Sequence, residues 1–440
     1  VLVYLLHGGI RPVDPEIMML VISMSFAGAS VGMFSGLVPG IHVNTLASIM
    51  LVSYPLLDAV ISVFADPFLV PVLLSSCIIS AAIVHSFVSY VPSVFTGVPD
   101  QDNVMSMLPG HRLLLDGRGM AAVRASAAGS LIGGLAAVAV AIPFQYLMVN
   151  GLGEYLRDVT TVVLLIAVIA LIMSERTVGK GCWAAALIML SGIMGCICMF
   201  MPVPFHGYVS GGDLLLPLLT GLFGVPVLIT SPAGVKIPEQ RDDPCTMSPS
   251  SGLKGVLTGS VVGWFPGITA TAGAAFTRIF VNENDPERFI ALVSSIGTAS
   301  AVFALITLSV SGKCRTGTMI VVKEILGSGM GGIGGGVFIL MLLSVAVAAS
   351  IGYLAAIRSG KMLSRVIPKV NVRKMNMTIL AAIVILVFLM TGGWGIALLI
   401  VSSLIGLIPL SAGTGRVHLS GCLLVPVLIM QLGLDTMFLF

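Results

Sequence analysis

Charge is scarce in this chain, and that scarcity constrains its fold more than any motif does. Among 440 residues there are 22 Lys and Arg and 19 Asp and Glu, so 9% are charged against 57% hydrophobic. A soluble domain carries about 25% charged residues; a water-facing surface cannot be assembled from so few, whereas a lipid-facing one can. Apolar runs fall at 16–37, 41–64, 68–95, 119–149, 159–174, 181–203, 213–230, 253–281, 288–311, 316–326, 331–357, 376–391, 393–410 and 417–440. Several are too short to span alone, and many are interrupted by Gly or Pro. They predict an all-α polytopic membrane protein with about 10 to 14 membrane segments, some of them broken or re-entrant. Long strand alternation is absent, which argues against a barrel. Soluble enzyme, nucleic-acid-binding and fibrous readings are excluded.

The remaining polar residues organise the chain. The stretch 231–252 holds Pro232, Pro238, Pro244 and Pro249 among mixed charges. It reads as a central linker between an N-terminal transmembrane half, 1–230, and a C-terminal one, 253–440. Arg358, Lys361, Arg365, Lys369, Arg373 and Lys374 crowd one short stretch with no acid among them. Lys and Arg accumulate in cytoplasmic loops, so 358–374 is expected to face the cytoplasm of a multi-pass cell-membrane protein. A lipid-headgroup or partner contact there stays open. The net charge of +3 is too small to imply a polyanionic partner. Seven cysteines without a CxxC pair read as core hydrophobes, and no metal site is expected. The opening segment, Val1 to Ile10, lacks the basic start of a signal peptide.

The two halves echo each other. Gly32, Gly36, Pro39, Gly40 and Ile41 recur in register as Gly259, Gly263, Pro266, Gly267 and Ile268, 227 residues later. A weaker echo links Thr96 and Gly97 with Ser311 and Gly312. Proline removes a backbone donor and clashes with the preceding turn, while glycine permits a sharp reversal. Freed backbone groups cannot face lipid, so such breaks persist only inside protein or along a cavity. A helix starting after the break presents unpaired N–H groups and a partial positive charge. One break per half is the plan of transporters built from inverted repeats. Kinks that merely allow close packing are the bland alternative.

Candidate ligand groups cluster at these breaks. His42, Asn44 and Thr45 follow Pro39 and Gly40, and Thr269 and Thr271 follow Pro266 and Gly267. Each could cap a helix; their symmetric placement favours a ligand. A lone His such as His42 is more often a structural hydrogen-bonding group. Asp100 and Asp102 stand in the densest polar stretch of the first half, where they could relay a proton or hold a coupling cation. Lys313 and Arg315 flank glycines and hydroxyls in the second half, which suits a carboxylate or phosphate. No Walker spacing, zinc-protease motif or Ser/His/Asp constellation is present, so no catalytic residue and no ATP hydrolysis are expected.

The succession of Gly36, Pro39, Gly40 and Ile41, then Thr96, Gly97, Pro99 and Asp100, then Leu108, Pro109, Gly110 and His111, then Asp116 to Gly119, then Gly263, Pro266 and Gly267 is distinctive. It resembles the large membrane subunit of tripartite tricarboxylate transporters, and its archaeal branch most. The resemblance implies a permease with two repeats that takes up carboxylates with an ion gradient. A small membrane subunit and an extracytoplasmic binding protein would be its partners. His42 stands where bacterial members usually carry Gly, and Ser294 to Ser300 lacks their acids and asparagines. The breaks are also similar to those of polyprenyl-phosphate translocases.

The resulting expectation is a secondary active transporter of an organic anion. The two half-helices point at the anion; Asn44, Thr45, Thr269 and Thr271 hydrogen-bond it, and Lys313 or Arg315 supplies charge. No cofactor is expected beyond a coupling Na+ or H+, and homo-oligomerisation stays open. The alternative is a translocase for a lipid-carrier phosphate.

Overall fold

The computed structural model describes residues 14–38, 43–96, 104–200, 207, 214–230, 237–265, 270, 273–274, 277, 283, 285–327, 335–369 and 371–434. Every regular element among them is helical. Twelve helices carry the argument: α1 (Pro15–Leu37), α2 (Val43–Val52), α3 (Val70–Val88), α4 (Val104–Leu115), α5 (Gly119–Leu147), α6 (Val178–Phe200), α7 (Pro249–Trp264), α8 (Pro286–Ser311), α9 (Gly317–Leu326), α10 (Gly336–Val366), α11 (Val372–Ala412) and α12 (Gly421–Gln431). Seven stretches among the described residues are long and apolar enough to cross a membrane. Together with the composition, they make this a multi-pass membrane protein.

Local chemistry sets the helix ends. Proline opens α1, α7 and α8, where its missing N–H costs nothing. The preceding side chains cap the turn: Asp14 accepts from the Glu16 amide at 3.0 Å, and Asp285 from those of Glu287 and Arg288 at 2.8 and 3.3 Å. Gly312 and Gly413, both with φ 64°, stop α8 and α11 in a left-handed turn that L side chains resist.

Small residues then let backbones meet, the usual solution where apolar burial alone cannot drive helices together in lipid. A Cβ added to Gly28 or Gly32 of α1 would collide with the carbonyl oxygens of Cys77 or Ala81 on α3, and one on Gly36 would lie 3.0 Å from that of His85. Gly255, Gly259 and Gly263 of α7 lie likewise against Ser295, Ala299 and Phe303 of α8, with added-Cβ distances of 2.5–2.6 Å. Both ladders ascend together, so α1 runs parallel to α3 and α7 to α8. Each central helix is also flanked by a long helix of the other half. α5 runs parallel to α8, with Ser130 bonded to the Ser294 carbonyl and Gln145 to Ser309. α10 runs parallel to α3, with Ser76 near Met341 and Gly352 against the Phe87 ring. α5 and α10 are antiparallel, because Gly134 meets Ala349 whereas Gly360 meets Val123 and Met120. Thus α1, α3 and α10 share one direction, and α5, α7 and α8 the opposite one.

A second group comprises Thr160–Met173, α6, Leu215–Thr230, α11 and α12. α11 is not one rod. Gly392 (φ 64°, ψ −154°) interrupts it. Asn376 reaches the Leu228 carbonyl, yet Gly406 packs on Leu222 and Pro226. Thirty residues of straight helix would separate 376 from 406 by about 45 Å, so the two legs fold back on each other. The separate runs 376–391 and 393–410 seen in the sequence are these legs. Leu215–Thr230 packs on the second leg, and α12 packs on α6. The packing segments contain one pentapeptide twice, Val225 to Ile229 and Val425 to Ile429.

The central linker spans the end at which α5, α7 and α8 begin and α10 finishes. Gln240 accepts from the Gly119 amide at 2.8 Å, and Arg118 pairs with buried Glu287 at 2.6 Å. Asp242 joins Arg124 of α5 to Lys361 of α10.

Candidate substrate site

The two Pro-Gly sequences terminate helices in the same way. α1 stops at Leu37 and α7 at Trp264, each two residues before its proline. The residues next to proline, Val38 (ψ 106°) and Phe265 (ψ 130°), are extended, as steric conflict with the proline ring requires. Pro39, Gly40, His42, Pro266, Gly267, Thr269 and Thr271 lie outside the described residues. So do Asp100 and Asp102.

Each break leads into a reversal rather than a kink. After Phe265 the chain returns along α7: Gly273 lies against Val262, and Thr277 bonds Thr258 at 2.6 Å. By Glu283 it has come back to the start of α7, where that carboxylate accepts from Ser251 at 3.1 Å and pairs with Lys254 at 2.9 Å. The sixteen residues of α7 measure about 24 Å, less than the roughly 30 Å of a hydrocarbon core. In the first half, parallel α1 and α3 require the chain to return between Leu37 and Val70. That stretch contains the helix Tyr54–Ile61 and, before it, α2, which begins at Val43 and holds Asn44 and Thr45 in its first turn. Their amides are therefore among the first N–H groups of that helix, which have no partner within it.

The surroundings of the two turns differ. Beside the first, the Nδ1 atom of buried His85 lies 2.9 Å from Ser35 Oγ. Beside the second, Phe303 replaces the imidazole and meets the Phe144 ring edge-on at 4.7 Å. Thr307 donates to the Gly263 carbonyl at 3.0 Å, in the last turn of α7. In the sequence Thr307 is an ordinary hydroxyl in an apolar run; only the packing of α8 on α7 gives it a role.

Lys313 and Arg315 follow the end of α8 that flanks the second turn. Lys313 is exposed. Arg315 is partly buried, its Nε has no partner among the described residues, and burial lowers its pKa to about 10, so it stays cationic at neutral pH. Thr316 caps α9 by accepting from the Met319 amide at 3.3 Å, and Lys323 bonds the Gly312 carbonyl at 2.9 Å. In the sequence, Asp100 and Asp102 follow α3 and the short helix Tyr90–Thr96, before α4 opens at Val104. Fully buried Tyr90, bonded to the Ser106 carbonyl at 3.2 Å, ties that short helix to α4. Among the described residues no group of His, Cys, Asp or Glu could hold a metal ion.

Both turns, both loops and the linker fall inside one family match: the model for the tripartite tricarboxylate transporter TctA family covers residues 22–421. The chain belongs to the TctA family. It is therefore a transporter component and not an enzyme. An uncharacterized protein of Methanocaldococcus jannaschii is 29% identical over 299 residues, covering 66% of this chain and 69% of that protein. No solved structure gives a significant match. Within this TctA-family chain, α1 and α7 each stop two residues before one of the Pro-Gly sequences singled out in the sequence.

Proposed function

We propose that this chain is a permease for an organic anion, of carboxylate class, driven by an ion gradient. Two repeats of opposite orientation, 1–230 and 253–440 joined by 231–252, alternate access around the paired turns. The observation that carries this reading is the reversal of the chain after a Pro-Gly sequence in each half, each on a glycine ladder that packs on a parallel helix. The antiparallel course of α5 and α10 supports the inverted arrangement.

A turn of this kind directs the first amides of the returning helix at one point, which favours an anion. Pro39, Gly40 and His42, and Pro266 and Gly267, form the turns. Asn44, Thr45, Thr269 and Thr271 supply hydrogen bonds, and Arg315 with Lys313 supplies charge. Asp100 and Asp102 serve the coupling Na+ or H+. Membership of the TctA family supports a small membrane subunit and an extracytoplasmic binding protein as partners, and a cell-membrane location with 358–374 on the cytoplasmic side.

Counterflow in proteoliposomes loaded with di- or tricarboxylates tests the substrate class. The expected result is uptake of labelled carboxylate that Gly267→Val abolishes and Arg315→Gln weakens most for the most highly charged anion, since Coulomb attraction scales with ligand charge. Exchange of polyprenyl phosphate with no carboxylate exchange would overturn it. Cysteine accessibility of the two turns from opposite membrane sides tests the inversion; labelling from one side only would remove it.

A further inference from the structure

α10 is longer than the bilayer core. Its 31 residues measure about 46 Å at 1.5 Å per residue, against a hydrocarbon thickness of about 30 Å. All its charges stand in the last third: Arg358, Lys361 and Arg365. Lys369 follows in the corner, and Arg373 and Lys374 open α11. No Asp or Glu stands between Glu324 and Asp435 in the sequence. Of the six cations only Lys361 has an acidic partner among the described residues, Asp242 at 3.1 Å. The other five are exposed.

Apolar side chains share this exposed face. Leu354, Met362 and Val366 are 52%, 56% and 51% exposed, and they interleave with Arg358, Arg365 and Lys369 at steps of three or four residues. Such a face meets lipid at its apolar positions and lets the Arg and Lys stems run along it to the headgroup level. A surface for a soluble acidic partner would hold its cations clear of lipid-facing Leu and Met.

We propose that the α10–α11 corner, through Arg358, Arg365, Lys369, Arg373 and Lys374, is a binding site for anionic phospholipid headgroups in the leaflet where α10 ends. Unpaired cations at this depth face phosphates whose negative potential attracts them. The corner joins the two helix groups of the fold, so bound lipid stabilises their junction.

The test uses the full chain in nanodiscs of phosphatidylcholine with and without phosphatidylglycerol, comparing wild type with R358Q/R365Q/K369Q/R373Q/K374Q. Phosphatidylglycerol is expected to raise the wild-type thermal midpoint, less so at high salt. The variant should match wild type in neutral discs, lose most of that rise and retain several-fold less phosphatidylglycerol. Arg373→Gln with Lys374→Gln, confined to the exposed start of α11, should lose part of the rise, which keeps the test open if the fivefold variant does not fold. A full rise in either folded variant, or none in wild type, would overturn the site. So would an equal rise from inorganic phosphate alone. Normal lipid response in the fivefold variant with loss of a co-expressed small membrane subunit would assign the corner to a protein instead.

Discussion

The α1–α3 and α7–α8 pairs have the same backbone design and different chemistry at its end. Three glycines four residues apart bring each pair into contact, and each first helix stops two residues before a Pro-Gly turn. Opposite the third glycine, however, the first pair places His85 beside Ser35, and the second places Phe303 beside Phe144. The helix ends share geometry, but a polar neighbour flanks one and an apolar neighbour the other.

The ladders provide the largest test. Gly32→Val and Gly259→Val should both abolish monodisperse protein, because overpacking costs about 1–3 kcal/mol and more against immovable backbone. Smaller changes separate the halves. An added methyl on Gly259 meets the Ala299 Cβ at 2.6 Å, so Ala299→Gly should recover most of the folding lost in Gly259→Ala. On Gly32 it meets the backbone of Ala81, so Ala81→Gly should recover little. Size-exclusion profiles of the four proteins measure this; equal rescue in both halves would remove the distinction.

A smaller effect comes from the walls. Phe303→His should cost the edge-on ring contact, about 0.5–1.5 kcal/mol, and bury an imidazole without the counterpart of Ser35. Thr307→Val removes the donor to the Gly263 carbonyl, a buried hydrogen bond worth about 0.5–1.5 kcal/mol net. Thermal unfolding in a fixed detergent reads both. If Thr307→Val is neutral in stability and in transport, the second turn does not depend on that hydrogen bond.

The helix ends beside the Pro-Gly sequences were legible because Gly and Pro act locally: α1 and α7 stop two residues before Pro39 and Pro266, with Val38 and Phe265 extended. The sequence also separated the two legs of α11, whose boundary is a glycine pair. The exchange of α5 and α10 between halves was not legible, because it depends on contacts between distant glycines and carbonyls that no local pattern encodes. The repeat of Val225 to Ile229 at Val425 to Ile429 was available but is easily passed over where Val, Leu and Ile dominate. Among the candidate ligand groups, Arg315 looked equivalent to Lys313 in sequence; the fold separates them, partly burying Arg315 and leaving Lys313 exposed.

The smallest expected effect concerns what joins the halves. Asp242 lies between Arg124 of α5 and Lys361 of α10, the two antiparallel long helices. Hydrogen bonds from Arg124 first, and then from Lys361, hold its carboxyl below the ordinary range. A group depressed in the folded state contributes stability above its unfolded pKa of about 3.9 and loses it as pH falls through the lower folded value. The latch should therefore be constant from neutral pH to about pH 5 and weaken only in stronger acid. Its carboxylate is 52% exposed, so its worth is that of a surface pair, about 0.2–1 kcal/mol, or at most roughly fivefold in an opening equilibrium. Limited proteolysis within 237–248 measures that opening. Asp242→Asn should raise the nicking rate by up to about fivefold at neutral pH and at low salt, with little change at high salt. Unchanged nicking in the Asn variant would mean that Gln240, the Arg118–Asp243 pair and the Thr246–Glu287 hydrogen bonds hold the linker alone, and that α5 and α10 move independently of it.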